Sequence, residues 1–129
     1  MSDGSGETEA IEFAGALRTF KFAQGELFKL ETQCDESAFL IQQALANSSA
    51  RTSWVKNVII LGLTGAGEGI ADAEGLFKLH MDQTGGNWIH ASIVAAMILT
   101  RGLSGPVDEI DQDEDMEGNV EGEESRPKN

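Results

Sequence analysis

Apolar residues recur at steps of three and four from Ala23 to Leu103. Clusters of glycine, asparagine and serine interrupt them at intervals too short for one long helix. A chain with this rhythm folds as several short helices, each burying one stripe against the others. Ala23, Leu27, Leu30 and Cys34 form the first stripe. Ala38, Ile41, Ala44 and Leu45 form the second, with Asp35 as the expected N-cap. The loop Ala46–Ser53 leads to a third helix, capped by Thr52 or Ser53, with Val55, Val58, Ile59 and Gly62 on one side and Trp54 and Leu61 beside them. Ala73, Leu76, Phe77 and His80 make a fourth stripe, which Gly85 and Gly86 end. Asn87 caps a fifth helix, 88–103, that is apolar on most sides through Ile89, Ile93, Val94, Met97, Ile98 and Leu99. A helix of that kind is central in the core or covered by a partner.

Ahead of Ala23 the period is two. Leu17, Thr19 and Lys21 face one way and Arg18, Phe20 and Phe22 the other, which fits a short hairpin turning at Ala14-Gly15-Ala16. The expected fold is therefore mainly α: a short N-terminal β-hairpin followed by about five helices in a small bundle, spanning residues 11–106. Residues 1–10 are read as a disordered acidic N-terminus and residues 107–129 as a disordered acidic tail, because both are acidic and poor in apolar periodicity.

Charge separates the same three regions. The chain of 129 residues carries a formal net charge of −13, yet residues 13–106 hold eight acids against seven bases. Ten acids crowd into residues 107–129. A near-neutral middle with acidic ends has no basic patch for phosphates, so neither nucleic acid nor an anionic membrane is an expected partner. The N-terminal residues lack the basic and apolar regions of a signal peptide. The apolar run 88–99 is far short of the roughly 20 residues that span a bilayer. Cys34 is the single cysteine, so no intramolecular disulfide can form and a reducing cytoplasm is the expected compartment.

The segment Val58–His80 raises the question of a phosphate-binding loop, since it holds Gly62, Gly65, Gly67 and Gly69. A P-loop requires Lys and Ser or Thr after its last glycine, and here Glu68 follows Gly67. A dinucleotide fingerprint counted from Gly65 reaches Ile70 where a glycine is required. The four glycines are therefore read as joining helices, and no cofactor is expected. Asp111, Asp113 and Asp115 begin like a calcium loop, but Met116 and Gly122 stand where Gly and Glu are needed. Cys34, His80 and His90 stand at unrelated spacings and make a poor zinc set, so no metal site is expected; Cys34 ends an apolar stripe and is read as a buried structural thiol, because spacing alone does not pair it with an imidazole. Six phenylalanines and two tryptophans are many large groups for so small a core. Either all pack inside, or some form a docking patch. Phe28, Phe39, Trp54 and Trp88 are the partner-binding candidates.

Three segments together resemble a known family. Leu17–Cys34 is similar to an opening strand followed by a Gly-Glu-Leu-x-x-Leu-Glu helix, carried here by Gly25, Glu26, Leu27, Leu30 and Glu31. Val55–Phe77 resembles a helix ending in a Gly-Leu-x-Gly-Gly-Gly turn, with Ala66 in place of the middle glycine. Ala91–Glu109 resembles an alanine-rich last helix with a glycine turn and a Pro-acid exit. In this order they resemble the small tail proteins of gene transfer agents and their prophage relatives, labelled both tail tube protein and tail assembly chaperone. The resemblance implies a helical protein without catalytic residues. It further implies a tail assembly chaperone that binds the tape-measure protein, with the tail tube protein as a second partner and homo-oligomers allowed, in the cytoplasm of a bacterial host. The alternative it implies is a structural tail (tube) protein retained in the particle.

Overall fold

The structure is a computed structural model, and it describes residues 6–104. Its elements in chain order are β1 (Ile11–Phe13), β2 (Ala16–Arg18), α1 (Gln24–Cys34), α2 (Ala38–Ala46), α3 (Thr52–Gly65), α4 (Ile70–Thr84) and α5 (Trp88–Ser104). The fold is mainly helical with a short N-terminal hairpin, as the periodicities require. The expected acidic tail, 107–129, lies outside the described residues.

The hairpin is antiparallel, with Ile11 opposite Arg18 and Phe13 opposite Ala16. Its turn is two residues long. Ala14 (φ 54°) and Gly15 (φ 82°) both take positive φ, the conformation that matches the twist of paired strands. Arg18 braces the turn, donating from Nε to the Phe13 carbonyl at 2.8 Å. Within the segment 1–10, expected to be disordered, the described residues Gly6, Glu7 and Thr8 pair with the chain at Phe20–Phe22. Thr8 N–H donates to the Phe20 carbonyl and Phe22 N–H to the Gly6 carbonyl, both at 2.8 Å. The charge of Glu7 and Glu9 concealed that pairing, because the bonds are made by backbone.

Helix α3 is the centre of the molecule. Every residue from Val58 to Leu63 is buried, so all its sides are covered, by α1, α4 and α5. Helix α5 buries only Ala91, Val94, Ala95, Ile98 and Leu99, against α3 and α2. The remaining core comes from Phe13, Phe20 and Phe22 of the N-terminal segment, Leu30 of α1, Ile41 and Leu45 of α2, and Phe77 of α4.

Two caps differ from expectation. Asp35 closes α1 in the left-handed region (φ 52°), and Ser37 caps α2, its Oγ accepting from Phe39 N–H at 3.1 Å. Glu31 adds a second cap from the neighbouring helix, accepting Ala38 N–H at 2.8 Å. A carboxylate there also suits the positive end of the α2 dipole. Helix α3 begins at Thr52 without any side-chain cap, its N-cap position being Arg51. Asn87 does cap α5, accepting from His90 N–H at 2.9 Å.

Candidate interaction surface

The four glycines between Gly62 and Gly69 divide into two pairs, and only one pair joins helices. Gly67 (φ 115°) makes the turn, and Gly69 is the N-cap of α4. Gly62 and Gly65 lie inside α3, contrary to the expectation that all four join helices. A Cβ on Gly62 would stand 3.0 Å from Ile98 and 3.2 Å from the Phe20 ring, and one on Gly65 would run into the Lys21 carbonyl. These two positions let the Phe20–Lys21 segment lie flat on α3, where Lys21 N–H donates to the Gly62 carbonyl at 3.0 Å. The glycines serve packing and a turn, and the element before them is a helix, whereas a P-loop follows a strand.

Cys34 and the two histidines are not brought together. Cys34 lines a hollow with Arg51, Trp54 and Asn57. Burial raises the pKa of its thiol, opposed by a hydrogen bond from Asn57 Nδ2 at 3.5 Å, and the burial favours the protonated form. His80 and His90 do meet, with Nε2 of the first 3.2 Å from Nδ1 of the second. Burial, and then His90, lower the His80 pKa. Among the described residues no three metal-ligating side chains gather.

What the fold does leave open is apolar surface. Ile89 (76% exposed), Ile93 (55%) and Met97 (49%) stand at i, i+4 and i+8 along α5 and form one ridge. No Asp, Glu, Lys or Arg interrupts it between Asn87 and Thr100. Hollows flank the ridge along its length. At its start, a groove of about 710 Å³ is lined by Phe77, Met81 and Trp88, together with Lys56, Lys78, Glu74 and Asp82. Trp88 leans on Phe77 there, ring centroids 5.8 Å apart. Beside Ile89 lies a smaller hollow of about 150 Å³. Near Met97 a groove of about 700 Å³ follows the seam between α2 and α5, past Gln42, Ala46 and Ala96. Gln42 spans that seam by donating to Thr100 Oγ1 at 3.1 Å.

The four aromatic candidates distribute unevenly over this surface. Trp88 (37% exposed) lines the first two hollows. Phe39 (70% exposed) stands on α2, the helix that borders α5. Phe28 is exposed on α1. Trp54 is half-buried against the core with the Arg51 guanidinium 5.8 Å from its ring, and it lines the Cys34 hollow instead. Ile89, Ile93 and Met97 were not among the candidates. Their signal is the spacing of four within an uncharged helix, which aliphatic side chains carry as well as aromatic ones.

No helix among the described residues is long and apolar enough to cross a membrane. No curated protein and no solved structure matches the chain. A family model does, over residues 6–105, which covers the hairpin and all five helices. That family is described as a phage tail protein and not as an enzyme family. The chain belongs to the family of the phage tail tube protein, GTA-gp10.

Proposed function

We propose that this protein is a tail assembly chaperone that binds the tape-measure protein while the tail is built. The observation that carries this reading is the uncharged Ile89–Ile93–Met97 ridge with its flanking grooves. A contiguous apolar patch on a small helical domain marks a surface made for another chain. Its form suits a helical partner, since a ridge of i, i+4 residues packs into the groove of a second helix. A tape-measure protein is long, mostly helical and prone to aggregate alone. Several copies would coat its apolar stretches in the bacterial cytoplasm, with Trp88 and Ile89 as central anchors. Tube subunits would then displace them. The acidic residues 107–129 would keep the coated complex apart by like-charge repulsion.

A second reading has its own support. The family description names a tail tube protein, which fits a subunit retained in the particle. Against it, tube rings are usually built on β-sheets, and the strands among the described residues are three residues long. Co-expression with the tape-measure protein of the same gene cluster separates the two. A soluble complex with several copies per tape measure, and purified particles lacking this protein, supports the chaperone. Rings or tubes of this protein alone, or its stoichiometric presence in particles, overturns it.

A further inference from the structure

His80 and His90 sit on different helices, yet their rings form a chain of hydrogen bonds that reaches the hairpin. His80 is 4% exposed and stacks on Phe13 with ring centroids 4.0 Å apart. Its Nδ1 accepts the backbone N–H of Ala14 at 3.3 Å. Its Nε2 lies 3.2 Å from His90 Nδ1. These contacts decide where the protons are. A ring nitrogen that accepts from a backbone N–H carries no hydrogen, so neutral His80 keeps its proton on Nε2. That proton points to His90 Nδ1, which must accept, and His90 therefore holds its own proton on Nε2.

Neither inward nitrogen has room for another proton. A proton on His80 Nδ1 would face the Ala14 N–H, and a proton on His90 Nδ1 would face the His80 N–H. Protonation thus removes one of the two bonds that link the hairpin turn, α4 and α5. A metal ion between the rings meets the same obstacle. Ligation through His80 Nε2 would move its proton to Nδ1, against Ala14, and among the described residues no third ligand joins the pair.

We propose that His80 and His90 are an acid-released latch, which holds the β1–β2 hairpin on α4 and α5 near neutral pH and lets its turn go when the pair takes up a proton. The surroundings tune it. A hollow of about 240 Å³ gives water access to the pair, and Glu12 of β1 is the acid that lines it, favouring the proton. Gln83 and Thr84 of α4, which line it too, carry no charge. Arg18 of β2, bound to the turn carbonyls, opposes a second positive charge. So does the amino end of α5, where His90 sits in the first turn. Lys56 of α3 lies in the Phe77 groove, on another side of α4. Release would uncover Phe13, which is fully buried while the latch is shut.

Two measurements on the full chain test this. Long-range ¹H–¹⁵N spectra at pH 7.5 report the tautomers, with Nε2–H expected on both rings. Amide exchange at pH 7.5 and 5.5 reports the hairpin. After correction for intrinsic rates, protection of Ala14 is expected to fall about tenfold at the lower pH, as loss of one hydrogen bond implies. Ile59 and Ile60 in α3 should keep theirs. An Nδ1–H tautomer on His80, unchanged protection at Ala14, or a loss shared equally with Ile59 would overturn the latch. His90→Asn leaves an acceptor near the Nδ1 position but removes the second imidazole, and should shift the pH of release. A release point that does not move counts against the pair. Should that variant not fold, the tautomers and exchange of the unaltered chain decide.

Discussion

Gly65 shows how much one missing methyl group can determine. A Cβ there meets backbone, the Lys21 carbonyl, and backbone cannot rotate aside as a side chain can. Gly65→Ala should therefore cost about 1–3 kcal/mol in a urea unfolding curve, the range of an overpacked site, although alanine has the better helix propensity. A stability equal to or above the unaltered chain would refute this account of the α3–Lys21 contact. His80 gives a second residue-scale expectation. Its folded pKa lies below the ordinary 6.5, so between those two values the unfolded chain binds more protons than the folded one. Stability contributed by neutral His80 is full above pH 6.5 and declines as the pH falls toward the folded value. Unfolding midpoints measured from pH 8 to 5 should fall in that window, and His80→Phe should flatten that part of the curve. The glycine spacing departs from both nucleotide-loop patterns in the sequence alone. It could not distinguish Gly67, needed for its φ, from Gly65, needed for the close approach of Lys21, a residue distant in sequence.

At the scale of elements, the helices follow from their stripes, and their ends follow from caps of differing legibility. Asn87 precedes its helix directly and caps it by its own side chain. Asn87→Ala should cost about 1 kcal/mol, read as a lower thermal midpoint with the fold retained in circular dichroism. Asp35 and Ser37 compete for the same role at α2, and local sequence ranks them alike. Asp35 instead ends α1, and Glu31 reaches across from that helix to the α2 N-terminus. That reach is a tertiary contact, which no local pattern records. The same limit applies to α3 and α5. Both are apolar enough for a central position, but α3 alone has helices on three sides, while α5 lies at the surface with one ridge uncovered.

Across the whole molecule, the ridge on α5 is the place where the proposed contact can be tested. Ile93 is 55% exposed, so Ile93→Asp removes little burial and should change unfolding free energy by less than about 0.5 kcal/mol. Combined with Ile89→Asp, it should abolish recovery of soluble tape-measure protein on co-expression, whereas Phe28→Ser should not. Equal recovery with the double variant would move the proposed contact away from α5. What the sequence by itself determined is whatever depends on local periodicity and composition: a short hairpin, five helices and a near-neutral centre with acidic ends. Only the tertiary structure decided which apolar faces are covered, that Gly62 and Gly65 are packing positions, and that His80 meets His90. The physical reason is the same in each case. A stripe specifies that a helix buries one face, but not against which neighbour, and exposure, close approach and paired rings belong to two elements at once.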